Sequence, residues 1–540
     1  MNQDELADEV ARTLRGLVTD QQLAGNPIPQ DLIPELYDAA EAVVRISHQL
    51  PAETALDEDR RQRVCNWVAT QVTIVHEESV RLVDDTWIPW LAARRADIEW
   101  RYWNAYQAFT KKEFPPAVIH QLSESTDRVL DLVPDPLREG QWDARGLVMG
   151  NVQSGKTAHY IGLICKAADA GYRIVVILTG LHNDLRSQTQ LRIDEGFIGR
   201  NTRNGWAQAP RVGVGFDTDH RMPYSFTSQP HAGDFRVQVA NALGVPLTSD
   251  AVKVFVVKKN TTVLRNLRDW LKTAADIPEG HERIAGIPLL VIDDEADQAS
   301  VNTANTPGPD DEDHNPSTIN RRIREILNFF DQSAYVGYTA TPFANIFISH
   351  EDGGVLGRDL FPYLFIESLE SPSNHIGPEV LFGISSQHDA IEIEGLPLIR
   401  TIDDTTEWMP DKHKKEHAPK VGLPGSLREA IDSFILTCAA RRLREGERKH
   451  HNTMLVHVTR FIDVQTQVET QITRHLHELR EQINLDNSRH PEIIERLRLL
   501  WDGNYVPTSS SLVERDEFEG VEVHSFEKVE PHIRDAVNRI

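Results

Sequence analysis

Short apolar runs alternate with helical segments along the middle of the chain, and this alternation limits the possible folds more than any other feature. The runs are RGLVM (145–149), RIVVIL (173–178), RVGVGF (211–216), KVFVV (253–257), PLLVID (288–293) and AYVGY (334–338). Each has the length and apolar character of a buried strand. Strands that alternate with helices form a parallel sheet covered on both faces, so we predict an α/β fold.

The first run leads directly into a phosphate-binding pattern. The segment GNVQSGKT fits G-x-x-x-x-G-K-[ST] at every defined position, and a helical segment follows it. Glycines let backbone N–H groups face a phosphate, and the start of the helix adds a positive dipole. The predicted nucleotide-binding residues are Gly150, Gln153, Ser154, Gly155, Lys156 and Thr157. Lys156 would reach the β- and γ-phosphates of ATP, and the Thr157 hydroxyl would bind Mg²⁺.

An acidic motif, LLVIDDEAD, follows a later predicted strand. It delivers Asp293, Asp294 and Glu295 to the sheet edge where α/β proteins bind their ligands. We predict that Asp294 holds Mg²⁺ and that Glu295 polarises the attacking water, so that both act in catalysis with Lys156. The doubled aspartate leaves Asp293 open as the metal partner instead.

A third motif, GYTATPFAN, ends the last predicted strand. We expect the Thr339 and Thr341 hydroxyls beside the acidic motif, where they can couple loss of the γ-phosphate to a neighbouring domain. Threonines are common at strand ends, so the triplet T-A-T is weak evidence alone. In the order GKT, DEAD, TAT the three motifs predict a motor-like ATPase.

These motifs resemble those of superfamily-two helicase-type P-loop ATPases and, more narrowly, those of the Z-1 domain family of endonucleases. The resemblance rests on residues 145–199, 289–303 and 335–348, with a less diagnostic match at 373–383. It implies ATP hydrolysis and two RecA-like domains. It also implies association with bacterial restriction or phage-defence clusters that carry a nuclease, a methyltransferase or a GHKL-type ATPase.

The sequence divides into four predicted segments. They are a helical N-terminal domain at 1–130, a first RecA-like ATPase domain at 131–350, an irregular insertion and linker at 351–425, and a partial second RecA-like domain at 426–540. In the N-terminal segment Leu36, Ala40, Val43 and Ile46 recur at helical steps. The last segment opens with a predicted helix at 426–443 and a predicted strand, TMLVHV, at 453–458.

The resemblance further implies an arginine motif, late in the second RecA-like domain, that completes the ATP site. We find neither this motif nor the preceding glycine-rich segment before Ile540. An arginine finger contributes a factor of about 10³–10⁵ to turnover. We therefore expect this chain to bind Mg-ATP and hydrolyse it slowly, with Arg460 as the nearest substitute.

Two segments are candidates for contact with nucleic acid, which we expect to be double-stranded DNA. The segment LHNDLRSQTQLR follows a predicted strand and offers Arg186, Gln188, Gln190 and Arg192 as phosphate-contacting donors. The aromatic stretch at 87–109 can stack on bases. Packing against a neighbouring domain is the alternative for the first segment and the favoured interpretation for the aromatic stretch.

Composition narrows the function classes. The chain has 540 residues and a net charge of −25, which argues against coating nucleic acid through overall charge but permits a local basic groove. It has no apolar run of membrane-spanning length, and its acidic N-terminus lacks an apolar signal core, so we expect a cytoplasmic protein with no membrane partner. Its three cysteines form no CxxC pair, which makes a cysteine-ligated metal unexpected.

Three function classes stay open. The leading one is an ATP-driven translocase or remodelling subunit of a defence complex. The alternatives are a nucleotide-gated switch or scaffold that recruits a separate nuclease, and an endonuclease in its own right. A nuclease site would draw on Asp516, Glu522 and His524, and His413 and His417 have the i, i+4 spacing of a metal pair. Both groups are more typical of solvated acidic or linker segments.

Overall fold

The structure, a computed structural model, describes most of the chain after residue 80 and shorter stretches before it. The described residues are 6–7, 9–14, 17, 33–48, 50–51, 54–58, 60–62, 64–65, 81–112, 114, 116–150, 155–205, 209–275, 283–301, 316–348, 359–369, 377, 381–384, 393–445, 451–485, 491–513 and 522–540. The chain divides into two compact units, Met1–His375 and Ile376–Ile540.

The first unit is built on an eight-stranded sheet. Its strands are β1 (Arg81–Val83), β2 (Trp142–Met149), β3 (Ile174–Thr179), β4 (Tyr224–Ser225), β5 (Lys253–Lys258), β6 (Leu289–Asp294), β7 (Gln332–Thr339) and β8 (Phe365–Ser368). They lie in the order β1-β8-β2-β7-β6-β3-β5-β4. The pairing of β1 with β8 is antiparallel and the other pairings are parallel. The predicted α/β fold is thus confirmed, with a sheet that is mostly parallel.

Helices cover both faces of this sheet. The helices of the first unit are α1 (Ile33–Ser47), α2 (Leu91–Arg94), α3 (Arg101–Thr110), α4 (Pro116–Leu132), α5 (Lys156–Ala170), α6 (Asn183–Ile193), α7 (Val237–Leu243), α8 (Thr261–Ala274), α9 (Pro316–Asn328) and α10 (Phe343–Ile346). Successive strand residues point to opposite faces. Val175 of β3 therefore belongs to one core with Leu163 of α5, whereas Val176 belongs to a second core with Leu264 of α8.

Helix α1 lies where a helix was predicted, but its buried face is rotated from the predicted one. Tyr37, Ala40 and Val44 are buried, whereas Val43 is 48% exposed and Ile46 is 79% exposed. The buried residues join Cys65 in a small separate core. The spacing therefore predicted the helix correctly and its apolar face only in part.

The sheet extends beyond the predicted limits of the first ATPase domain. Strand β8 lies within the segment predicted to be an irregular linker, and it pairs with β2. Strand β1 comes from the segment predicted to be helical, and it pairs with β8. The prediction of a strand at 211–216 is wrong, because Gly213–Phe216 form a 3₁₀ turn.

The regular secondary structure in the described residues of the second unit is helical, apart from the two-residue strands β9 (Gly383–Ile384) and β10 (Ile393–Glu394). Its helices are α11 (Gly425–Glu445), α12 (Ile462–Leu485), α13 (Pro491–Leu500), α14 (Val506–Val513) and α15 (Phe526–Arg539). Ile435, Leu497 and Val529 belong to its core, together with Cys438.

The strand predicted at 453–458 is absent from this unit. Leu455 within it is 84% exposed. The described part of 426–540 therefore forms a helical core and not the second RecA-like sheet that we expected. No described helix is long and apolar enough to cross a membrane.

Candidate functional site

The three predicted motifs meet at one edge of the sheet because the strands that precede them are neighbours. Strand β7 lies between β2 and β6, and the three strands are parallel. Met149 of β2 pairs with Thr339 of β7, and the Gly150 N–H donates to the Thr339 carbonyl oxygen at 3.0 Å. The loop after β2, the acidic turn after β6 and the threonines after β7 therefore converge.

The loop after β2 ends in the helix that was predicted to follow it. Helix α5 begins at Lys156, directly after Gly155, whose φ of +80° lies in the left-handed region that favours glycine. The Lys156 ammonium donates to the Gly150 carbonyl oxygen at 3.0 Å, which joins the two ends of the loop. Gln153 and Ser154 lie outside the described residues.

Thr157 and the acidic turn line the same cleft. The cleft is lined by Thr157, Gly180, Leu185, Gln188, Thr189, Arg192, Asp294 and Glu295. Arg192 Nη1 donates to Thr157 Oγ1 at 2.9 Å. The predicted metal ligands, Thr157 and Asp294, and the predicted water-polarising Glu295 thus border one space.

Asp294 is the member of the doubled aspartate that borders this cleft. The Tyr160 hydroxyl donates to Asp294 Oδ2 at 3.4 Å. Burial and, after it, the charge of Glu295 raise the pKa of Asp294 to about 6. A nearby cation favours the charged form of such a carboxyl group. Hydroxyl and carboxylate oxygens are the donors that Mg²⁺ prefers, so the residues around this cleft fit a Mg²⁺ ion.

Asp293 faces the interior instead. Its side chain is fully buried, and Asp293 Oδ1 lies 2.7 Å from the Lys259 ammonium. The Tyr335 hydroxyl donates to Asp293 Oδ2 at 2.6 Å. Both carboxylate oxygens are thus engaged by buried partners, so the geometry does not support the alternative in which Asp293 is the metal partner.

Sequence reasoning missed Lys259, which fixes the shape of the acidic turn. Its ammonium donates to the carbonyl oxygens of Glu295 at 2.6 Å and of Gln298 at 3.0 Å, in addition to its ion pair with Asp293. Glu295 has a φ of +55°, which a residue with a side chain adopts only when its surroundings hold it there. The signal for Lys259 in the sequence was its position directly after β5.

Asp297 connects the acidic turn to the threonine motif, as the predicted proximity required. Thr339 Oγ1 donates to Asp297 Oδ1 at 2.8 Å, and Thr341 Oγ1 donates to Asp297 Oδ2 at 2.6 Å. The Asn345 side-chain amide donates to the Ala296 carbonyl oxygen at 3.0 Å. Side-chain hydrogen bonds at Asp297 and at Ala296 therefore join the ends of the two strands.

Helix α6 carries the four residues predicted to contact nucleic acid, and the structure separates them into two pairs. Arg186 is fully buried, and its guanidinium donates to the carbonyl oxygens of Ser228, Gln229 and Pro230. Gln190 is also fully buried, and its side-chain amide donates to Asp194 Oδ1 at 2.9 Å. The nucleic-acid contacts predicted for Arg186 and Gln190 are therefore wrong, because both side chains are buried and hold the helix in place. Gln188 and Arg192 are exposed at the cleft, where a nucleic-acid contact stays a prediction.

The aromatic stretch at 87–109 serves packing in its central part. Trp103 and Tyr106 are buried in the core of the first unit. The Lys166 ammonium lies 4.1 Å from the centroid of the Trp103 ring. The Tyr106 hydroxyl donates to the Ala158 carbonyl oxygen at 3.0 Å. These two rings are therefore engaged within the unit and have no free face for a base.

Of the residues considered for a metal or nuclease site in the C-terminal part, the two histidines of the proposed metal pair bond elsewhere, whereas Glu522 and His524 lie close together, with His524 Nδ1 3.4 Å from Glu522 Oε1. His413 Nε2 lies 2.6 Å from Thr459 Oγ1, and His417 Nε2 lies 2.9 Å from the Trp408 carbonyl oxygen. Glu522 is exposed and accepts from the Lys528 ammonium at 2.6 Å. Asp516 lies outside the described residues. Within the described part of the chain, no three His, Cys, Asp or Glu side chains are placed to hold a metal ion.

Comparison with known proteins bears on the C-terminal part of the chain. No curated protein and no solved structure matches this sequence. One family model does match: residues 426–540, which include the helices of the second unit, are similar to the Z1 domain. The resemblance to the Z-1 domain family is therefore supported for residues 426–540.

Proposed function

We propose that this protein binds Mg-ATP in the cleft at the carboxyl edge of the sheet and hydrolyses it. The observation that carries the proposal is the convergence of three elements: the loop that ends at Lys156, the acidic turn at Asp294 and Glu295, and the threonines bonded to Asp297. The sheet is compatible with a RecA-like domain, because one strand separates β2 from β6 and brings both motifs to one edge.

Each residue of the cleft has a distinct role in this proposal. The N–H groups at the start of α5 and the Lys156 ammonium bind the phosphates. Thr157 and Asp294 hold Mg²⁺, which when bound neutralises phosphate charge. Glu295 orients the attacking water and accepts its proton. Thr339 and Thr341 respond through Asp297 when the terminal phosphate leaves.

At the level of biology, we propose a helicase-like translocase or remodelling subunit of a bacterial restriction or phage-defence system. The order of the three motifs along the chain and the Z1 match at 426–540 support this assignment. Double-stranded DNA is the proposed nucleic acid. A nuclease, a methyltransferase or a GHKL-type ATPase is the proposed partner, and the cytoplasm is the proposed location.

One observation favours a second candidate, a nucleotide-gated switch that recruits a separate nuclease without moving on DNA. Arg186 and Gln190, half of the predicted nucleic-acid contacts, are buried in the first unit. DNA-stimulated ATP hydrolysis supports the translocase, whereas ATP binding without stimulation by DNA supports the switch.

The test of the ATP site uses calorimetric nucleotide binding and steady-state ATP hydrolysis by the 540-residue chain. We expect Lys156→Ala to lose nucleotide binding and hydrolysis, because it removes the lysine cation that the loop places against the phosphates. We expect Glu295→Gln to retain binding and lose hydrolysis, because glutamine cannot accept the proton of the water. Lys112→Ala, at an exposed lysine away from the cleft, is the matched control.

Wild-type binding and turnover in Lys156→Ala would contradict the assignment of the site. A second result would correct it. If Asp293→Asn blocked hydrolysis while Glu295→Gln stayed active, the catalytic roles would be shifted by one position along the acidic motif.

A further inference from the structure

The cleft contains a cation that the three motifs do not include. Arg192 lies in the last turn of α6, and its side chain is exposed at the cleft. Its Nη1 donates to Thr157 Oγ1 at 2.9 Å, and Asp294 and Glu295 line the same space. A guanidinium therefore lies beside the Thr157 hydroxyl in the cleft.

The helix that carries Arg192 is held firmly to the body of the first unit. Arg186 anchors α6 to three carbonyl oxygens of residues 228–230. Gln190 adds bonds to Asp194 and to the Thr227 hydroxyl, the latter at 2.7 Å. These contacts lie on the buried face of α6 and fix the position of the helix. Arg192, on the exposed face, therefore reaches the cleft from a helix that is held in place.

Arg192 has no acidic partner among the residues that the structure describes, since none of their carboxylate oxygens lies within 4.0 Å of its guanidinium to form an ion pair. Its one observed side-chain bond is to the neutral Thr157 hydroxyl. A guanidinium has five N–H donors in a planar fork that matches the oxygens of a phosphate. Most of this donor capacity is therefore available to an anion in the cleft.

We propose that Arg192 binds the terminal phosphate of the nucleotide and so distinguishes a triphosphate from a diphosphate. This inference rests on the proposed function. Thr157 Oγ1 cannot serve a metal ion and a guanidinium at once, because two cations would then meet at one oxygen. Arg192 therefore releases Thr157 when a metal-bound nucleotide is present, and the terminal phosphate of that nucleotide is the anion that we expect it to bind.

The chemistry of hydrolysis gives this contact a catalytic consequence. Negative charge is spread over the oxygens of the transferred phosphoryl group in the transition state, and a fixed cation stabilises it. Arg192 would supply such a cation from the same domain that carries the phosphate-binding loop. It would thus act in cis, in the place of an arginine supplied by a second domain.

The test compares the binding of ADP and of the slowly hydrolysed analogue ATPγS, each with Mg²⁺, by isothermal titration calorimetry on the 540-residue chain. In Arg192→Gln we expect ATPγS affinity to fall by at least about tenfold, the scale of a charge-assisted hydrogen bond. ADP affinity should stay within about twofold, which lies below that scale. Arg192→Lys should recover part of the loss, and Arg265→Gln, at an exposed arginine on α8, should match the wild type.

Several outcomes would overturn this inference and leave the proposed function standing. They are an equal loss of both nucleotides in Arg192→Gln, unchanged or tighter binding of both, and normal nucleotide binding with loss of DNA stimulation alone. The last outcome would assign Arg192 to nucleic acid. If the wild-type chain bound neither nucleotide, the proposed function itself would fail, and this inference with it. Thermal unfolding of each variant verifies that it is folded.

Discussion

Lys259 is a single side chain on which the geometry of the acidic turn depends. It lies fully buried between Asp293 and two carbonyl oxygens of the turn that contains Glu295. A buried charge is stable only when it is paired and hydrogen-bonded, and here the pair is placed directly below the cleft. The interior of the unit thus determines where Glu295 points.

We expect Lys259→Met to destabilise the protein by about 3–5 kcal/mol, the cost of leaving a buried partner charge uncompensated. Urea unfolding measures this change. The double variant Lys259→Met/Asp293→Asn should regain part of the lost stability, because it removes the orphaned charge of Asp293. A loss as small as that of Lys112→Met, at an exposed lysine, would contradict the structural role of the pair.

The contribution of Lys166 to the stability of the fold should depend on pH. Its ammonium is 2.6 Å from Asp127 Oδ1, and burial lowers the pKa of Lys166 to about 8 although the charge of Asp127 opposes this shift. An unfolded lysine keeps its proton to a pH of about 10.4. Between these values the unfolded chain binds more protons, so the Lys166 contribution to stability rises with pH.

The measurement is the free energy of unfolding of wild type minus that of Lys166→Met across this pH window. We expect the difference to increase with pH, by at most about 1.4 kcal/mol per pH unit. The same difference for Lys112→Met should stay flat, because that lysine is exposed. A flat profile for Lys166→Met as well would show that its amine has an ordinary pKa.

Among the elements, the turn at Gly213–Phe216 shows one reason why the local sequence pattern can mispredict a strand. RVGVGF has alternating apolar residues, yet it forms a 3₁₀ turn. Gly213 has a φ of +48°, and a Cβ at Gly215 would collide with the Gly199 carbonyl group. The turn depends on a backbone contact with a segment that precedes it, and such a contact leaves no trace in the pattern of the turn itself.

We expect Gly215→Ala to destabilise the first unit by more than Gly244→Ala does. Gly244, unlike Gly215, has a positive φ, of +62°, but a Cβ there would meet open space, so alanine costs only about 1 kcal/mol of backbone strain. At Gly215 the added methyl group must push the Gly199 backbone away. Thermal unfolding of the two variants makes the comparison, and equal losses would show that the turn relaxes freely.

The elements that the sequence predicted well are the buried central ones. Strands β3, β5, β6 and β7 were predicted from continuous apolar runs. The motifs at strand ends lie close together because the strands that precede them are neighbours in the sheet. The short strands β1 and β8, at one end of the sheet, were missed because three or four residues carry too little pattern. Lys259 was missed because a lysine after a strand is ordinarily solvated, and only tertiary contacts bury it.

At the scale of the whole molecule, the candidate site lies entirely within the first unit. Its residues fall between Gly150 and Thr341, whereas the second unit starts at Ile376. We expect residues 1–375, prepared alone, to bind Mg-ATPγS as the full chain does, because the phosphate and metal donors are all present. Lys156→Ala in the same fragment is the control, and calorimetry is the measurement. A folded fragment that fails to bind would show that the site needs residues of the second unit.

The three cysteines lie in three different cores of the described structure. Cys65 lies in the N-terminal core, Cys165 in the core of the sheet and Cys438 in the core of the second unit. Burial raises the pKa of all three thiols and suppresses the reactive thiolate. The three native cysteines can therefore serve as alkylation probes of unfolding. The cysteine that first reacts with a maleimide during heating or nucleotide removal identifies which of these three cores opens first, with no label to be engineered.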